Sequence, residues 1–493
     1  MAESKTSNDT ESGKNGEKHE RRLEENQAVT QHTVTVNGET IDYTATAGTL
    51  LLKEDEEQET KASVFYVAYT KNDVEDIAQR PITFSFNGGP GSSSVWLHLG
   101  VLGPRRVLMN EEGKPHMPPG ALVDNAHSLI DKTDLVFIDP VSTGYSRPAP
   151  GEEKKQFHGV KQDIEWVGEF IRLFTSRQER WASPKFLIGE SYGTTRAAGL
   201  SAHLQGELGL YLNGIMLISA ILNFQSARFD LGNDLPYILF LPTYAAAAWY
   251  HERLPDDLQQ LELLTLLDEV KAFAQKEYTL ALMQGASLSD EDRERIVAQL
   301  ARYTGLSPAY ISQTNLRINI HRFVKELLRD ERRTIGRFDA RFKGIDREAV
   351  GERHEYDPSY ATVQGVYTAA LNTYVRSELN FKSDLPYEIL TGNVRPWDYG
   401  NYQNQYVNVS DELRLAISRN PYLRVFVANG YYDLATPYFA TEYTFDHLGL
   451  DPTLRENVSM GYYEAGHMMY VHRPSLVKLK DDLAAFMDEA LSD

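Results

Sequence analysis

The stretch Lys185-Phe186-Leu187-Ile188-Gly189-Glu190-Ser191-Tyr192-Gly193 joins an apolar run to the pattern G-x-S-x-G, and a helix-forming run from Thr194 to about Gln205 follows it. A strand, a sharp turn and a helix in that order lift a serine hydroxyl to the top of a parallel sheet. The flanking glycines allow the tight turn and the close approach of helix to strand. Ser191 is therefore a candidate nucleophile, and the remaining chain should supply the sheet and the groups that a serine needs.

Strand-like segments lie on both sides. Thr33–Val36 and Ile41–Tyr43 flank Asn37-Gly38, which signals a tight hairpin. Segments 62–69, 81–86, 133–139, 186–189 and 214–219 read as further strands, and 423–428 and 457–462 resume the pattern late in the chain. Between them, Ile164, Val167, Phe170, Ile171 and Phe174 share one helical face. Strands that alternate with helices after an antiparallel start imply an α/β fold with a mixed, mostly parallel sheet. From about Asn223 to Arg395 the alternation stops and helical signals dominate, at 256–283, 289–303, 315–330 and 360–379. The expected organisation is a core from residues 32–222 and 396–493, a helical cap inserted at 223–395, and a charged, disordered tail at 1–31. An amphipathic helix at about 475–491 closes the chain.

The 493 residues are 42% hydrophobic, enough for a large core. A net charge of −20 argues against nucleic acid and anionic membranes as partners. The absence of cysteine excludes disulfides, thiolate metal sites and a cysteine nucleophile. Together with an amino terminus that holds no apolar run of leader length, it predicts a cytoplasmic location, with the periplasm as the alternative. The oligomeric state is left open, a homodimer included.

A serine hydroxyl is a poor nucleophile until a base takes its proton. In a site of this kind an acid and then a histidine follow the serine along the chain, each past a late strand. Asp433 sits past 423–428 in Asn429-Gly430-Tyr431-Tyr432-Asp433, and His467 sits past 457–462 in Glu464-Ala465-Gly466-His467. His447 and His472 follow no strand so directly. A developing oxyanion needs backbone N–H donors. One is expected from Tyr192 and the other from the glycine-rich loop after strand 81–86. A serine activated by a base requires no metal or other cofactor.

Taken together, Asn87-Gly88-Gly89-Pro90-Gly91-Ser92-Ser93-Ser94, Gly103-Pro104, Asp139-Pro140-Val141-Ser142-Thr143-Gly144-Tyr145-Ser146, the Gly189–Gly193 stretch, Asn429–Asp433 and Gly466-His467 resemble the serine carboxypeptidase family. The likeness runs in order from about residue 60 to the end and fades over the cap. It implies an α/β-hydrolase fold and release of the last amino acid from peptides with a free C-terminus. By position it implies Ser191 as nucleophile, His467 as base and Asp433 as the group that orients it. It also implies Gly89 and Tyr192 as oxyanion donors, and Asn87 and Glu190 as the holders of the substrate's terminal carboxylate. Two carboxylates that close cannot both be ionised, so substrate binding should weaken as pH rises.

The chain departs from the family pattern W-L-N-G-G-P-G-C-S-S, with Ser85 and Ser92 at the tryptophan and cysteine positions. A glutamate that precedes Leu-Gly-Pro in eukaryotic members is Val101, which leaves Glu190 without its usual partner; His98 and Arg105 are the nearby substitutes. Missing disulfides point to a bacterial-type member. The same fold also serves esterases, acyltransferases and proline-type aminopeptidases, and an inactive binding protein is the alternative from another class. Asn87 ahead of Gly-Gly-Pro-Gly favours a carboxylate binder, and a complete Ser–Asp–His order argues against inactivity. Tyr145, Tyr237, Phe240, Tyr244 and Trp249 offer an apolar side-chain pocket or, more simply, core packing.

Overall fold

The computed structural model describes residues 23–54 and 59–492. In chain order its main strands are β1 (Gln27–Val36), β2 (Glu39–Lys53), β3 (Thr60–Lys71), β4 (Ile82–Phe86), β5 (Asp134–Ile138), β6 (Lys185–Glu190), β7 (Gly214–Ile218), β8 (Arg424–Gly430) and β9 (Val458–Tyr463). Across one sheet they run β1-β2-β3-β5-β4-β6-β7-β8-β9. The pairs from β1 to β5 are antiparallel, and those from β5 onward are parallel. The mixed, mostly parallel sheet expected from the sequence is present.

The hairpin forms as its signal predicts. Val36 pairs with Glu39, and Asn37 and Gly38 carry φ of 51° and 82°, the backbone of a two-residue turn that follows strand twist. It reaches further than expected. β1 starts at Gln27, inside the segment read as a disordered tail, because Gln27 to Gln31 find partners on β2 at Gly48 to Thr44. Residues 1–22 of that expectation lie outside the described residues.

Period-two alternation divides each strand between two faces. β3 sends Phe65, Val67 and Tyr69 into one apolar cluster and Val64, Tyr66 and Ala68 into another. β7 does the same with Met216 and Ile218 against Ile215 and Leu217. Helices α1 (Val160–Arg177) and α2 (Tyr192–Glu207) cover the second face. Helices α3 (Leu235–Tyr250), α4 (Leu263–Phe273) and α5 (Asp290–Thr304) form a third cluster around Leu239, Tyr244, Leu267 and Leu300. A later helix, α6 (Pro358–Ser377), instead packs Val366, Tyr367, Leu371 and Tyr374 onto the first face of the sheet. The chain ends with α7 (Ser410–Arg419), α8 (Tyr438–Asp446) and α9 (Arg473–Ala490).

Two helical expectations change. The segment 315–330 is helical only over Ile320–Glu326, because Asn315 and Leu316 adopt positive φ and break it. The segment 256–283 is divided into short helices with a wider turn at Ala274–Tyr278.

Candidate active site

Four loops leave the same end of the parallel strands and meet. β4 leads into Asn87–Ser94, β6 into Ser191, β8 into Asp433 and β9 into His467. Ser191 sits at φ 60°, ψ −128°, a backbone that costs a non-glycine residue about 1–3 kcal/mol. Three hydrogen bonds hold it there. Ser191 N–H donates to Ile218 O at 3.0 Å, and its own carbonyl accepts from Thr194 N–H at 2.8 Å and Thr194 Oγ1 at 2.7 Å. Gly88 is required beside this turn. A Cβ there would press on Tyr192 N and lie 2.8 Å from Glu190 O.

Asp433 is fully buried and holds His467. Its Oδ2 accepts from His467 Nδ1 at 2.7 Å and from Thr436 Oγ1 at 2.7 Å. Its Oδ1 accepts the Ala435 and Thr436 amides at 2.7 and 3.0 Å. Four donors hold this carboxylate in place, which sets the tautomer of the imidazole and leaves Nε2 as its free proton acceptor. Burial pushes His467 down in pKa. The Asp433 carboxylate, its hydrogen bond and the nearby Glu190 outweigh burial, so the net shift is upward. The His467 ring stacks on Phe338 with centroids 5.0 Å apart.

The segment around Phe338 is bonded to the loops of both Asp433 and His467. Phe338 O accepts His467 N–H at 2.6 Å, and Asp339 Oδ2 accepts Gly466 N–H at 3.0 Å. Arg337 O accepts Leu434 N–H at 3.0 Å, and Ala340 N–H donates to Tyr432 O at 3.0 Å.

The glycine-rich loop is equally tied down. Arg196, in α2, grips Asp163 through two hydrogen bonds and donates from Nη1 to Asn87 O at 2.6 Å. Asp139 accepts both the amide and the hydroxyl of Ser94 at 2.8 Å. Asn87 Oδ1 takes the Leu97 amide at 3.2 Å, and the Asn87 side chain also acts on the Glu190 carboxyl, lowering its pKa. The Gly89 amide donates to no acceptor among the described residues. Tyr192 is the first residue of α2, so its N–H has no acceptor within the helix.

These groups line one cavity of about 700 Å³, whose wall includes Asn87, Gly89, Glu190, Ser191 and His467. Glu190 is buried, and burial raises its carboxyl to about 7, while the charge of His467 and a hydrogen bond from Tyr470 pull the other way. Tyr470 Oη donates to Glu190 Oε2 at 2.5 Å. Tyr470, and neither His98 nor Arg105, is thus the side chain bonded to Glu190, and it favours the ionised carboxyl. His98 is bound to Tyr69 Oη at 2.7 Å and stacked on Phe137, and its pKa falls to about 3 through burial. Arg105 pairs with Asp124 and Glu378. The competing histidines are elsewhere, His472 Nδ1 against Ser475 Oγ at 2.8 Å and His447 stacked on Tyr443.

Of the aromatic residues considered for a side-chain pocket, Phe240 and Tyr244 are core of the α3–α5 cluster, with Tyr237 and Trp249 packed against it, and Tyr145 is core on the sheet's first face. The aromatic wall of the cavity is Trp96, Phe338 and Tyr360.

A family model described as serine carboxypeptidase matches residues 39–474. The chain belongs to the serine carboxypeptidase family. Among curated members, the pheromone-processing carboxypeptidase KEX1 of Saccharomyces cerevisiae is 32% identical over 148 residues, which cover 28% of this chain and 19% of that protein. Serine carboxypeptidase-like 51 of Arabidopsis thaliana is 30% identical over 169 residues, 32% of this chain and 33% of that protein. The matched stretches thus span a fifth to a third of these relatives. The crystal structure of Kex1(Δ)p, a prohormone-processing carboxypeptidase from Saccharomyces cerevisiae, aligns with a TM-score of 0.57 at 16% identity, covering 90% of this chain and 91% of that one, so the two share the α/β-hydrolase fold. The family implies peptide substrates. It also corrects the expected cytoplasmic location, since relatives such as the yeast and plant proteins are secretory or vacuolar. A lack of cysteine removes disulfides from a chain and does not fix its compartment.

Proposed function

We propose that this protein is a serine carboxypeptidase that removes the last residue of peptides with a free C-terminus. In this reading Ser191 Oγ attacks the final peptide carbonyl while His467, oriented by Asp433, takes its proton. The oxyanion is received by the Gly89 and Tyr192 amides. His467 then protonates the leaving amino acid, and water hydrolyses the acyl-enzyme. The α3–α5 region acts as a cap within the inserted segment 223–395, over a core drawn from 32–222 and 396–493.

The observation that carries this reading is Glu190. A buried carboxyl with a pKa of about 7 lines the cavity beside Ser191, and the Asn87 side chain lines the same wall. A protonated Glu190 and an amide N–H₂ are both donors, the complement of a carboxylate. An esterase or an aminopeptidase has no use for that pair. The test compares peptides blocked at the amino end, with the carboxyl end free or amidated, and uses Ser191→Ala as control. Release from the free acid alone, lost in the variant, is the expected result. Hydrolysis of simple esters without release from either peptide would overturn it in favour of an esterase.

A further inference from the structure

A second cavity of about 670 Å³ opens from the first and shares Arg228, Arg337, Phe338, Tyr360 and Leu390 with it. Its charge is opposite to that of the molecule. Arg228, Arg337 and Arg353 line it with His321 and His354, and Arg395 stands on the adjoining wall near Ser191. Among the described residues, none of these four guanidinium groups makes an ion pair or a side-chain hydrogen bond. Arg337 is half-buried and rests on the Phe338 ring at 5.2 Å, and Arg228 rests on Phe224 at 5.8 Å.

Leaving these arginines unpaired is not for want of acids, because the chain has 70 Asp and Glu against 50 Lys and Arg. Nearby arginines outside the cavity are matched: Arg253 with Asp330, Arg317 with Asp234, Arg322 with Glu352 and Arg329 with Glu326. Two carboxylates do lie within the cavity. Asp357 accepts the amides of Arg337, Phe338 and Ser359 at the start of α6, and its charge, with that of Asp433, acts on Arg337 without an ion pair. Asp230 is exposed at the rim. The surplus is cationic, and guanidinium groups match carboxylates better than any other side chain.

From this juxtaposition we infer that the second cavity is a substrate subsite for acidic side chains, so that the enzyme prefers peptides whose C-terminal segment carries Asp or Glu. This rests on the carboxypeptidase reading for turnover but not for binding. A cationic recess inside an acidic surface also opposes what the rest of the molecule does, which repels anionic peptides until they reach the cleft.

The experiment uses the full chain and amino-blocked tetrapeptides that differ only by Glu, Gln or Lys at the last, penultimate or third-last position. The expected result is a kcat/KM ratio of Glu over Gln of about tenfold at one or more positions, with Lys below Gln, and a ratio that shrinks in 0.5 M salt. In Arg353→Gln, and more so in Arg337→Gln with Arg353→Gln, the ratio falls toward one. Calorimetry with the Ser191→Ala variant reads the same preference without turnover. Equal binding of Glu and Gln peptides, or a ratio unmoved by the arginine substitutions, overturns the subsite. Loss of turnover on every peptide with the Glu preference kept in calorimetry overturns the carboxypeptidase reading and supports the subsite.

Discussion

Replacing Glu190 by glutamine should stabilise the protein, and do so only above the pH at which the carboxyl ionises in the unfolded chain. The side chain is 4% exposed, and burial raises its pKa from 4.5 to about 7. The folded pKa is thus above the unfolded one. Below pH 4.5 the group is neutral in both states and adds no penalty. As pH rises from 4.5 to 7 the unfolded chain releases a proton that the folded chain still holds, so the penalty grows across this window, and above 7 the folded chain buries the charge and the penalty stays constant. At about 1.4 kcal/mol per pKa unit the full penalty is about 3 kcal/mol. Glutamine keeps the acceptor for Tyr470 Oη and carries no charge. Urea unfolding of Glu190→Gln and wild type should therefore differ by less than about 1 kcal/mol at pH 5 and by about 3 kcal/mol, in favour of the variant, at pH 8.5. Peptidase KM, which should climb above pH 7 in the wild type, should be flat in the variant. A stability difference of the same size at both pH values would refute the buried, neutralised carboxyl and with it the clamp.

Three further outcomes follow from single contacts. Tyr470→Phe removes a hydrogen bond that lowers the Glu190 pKa, so the alkaline rise of KM should move to higher pH in steady-state profiles with free-acid peptides. Asp433→Asn should keep the fold but favour the wrong imidazole tautomer, lowering kcat by about 10⁴ in the same assay. Gly88→Ala forces the glycine-rich loop away from the Tyr192 amide, and should reduce turnover of simple esters along with peptides, since both depend on the oxyanion donors.

The sheet was legible because its strands carry their signal locally. Continuous apolar runs such as 135–138 and 215–218 are buried on both faces, and Asn37-Gly38 specifies its own turn. Ser191, Asp433 and His467 were legible for a related reason, since each stands just past a strand and chain order is enough to find them. What escaped were contacts across long stretches of sequence. Tyr470 reaches Glu190 over 280 positions, and Phe338 reaches His467 from a segment far earlier in the chain. Helix α3 was missed because apolar residues surround it on every side, with Pro236 and Pro242 in its span, so it offers no stripe to detect. Nothing in the sequence of α6 says that it joins the sheet rather than the neighbouring cluster; only its Tyr367 and Tyr374 contacts do.

The peptide bonds from Arg337 to Ala340 have a consequence for how substrate comes and goes. With the Asp339 side chain they are stitched to the loops of Asp433 and His467 by four hydrogen bonds, three of them backbone to backbone. A lid that swung open on this segment would carry the acid and the base apart with it, so each opening would dismantle catalysis. Traffic must instead use the standing mouth of the cleft. The amide protons of Leu434, Gly466 and His467 should then trade with deuterium slowly and as one unit, at a pace unaffected by whether peptide is being turned over.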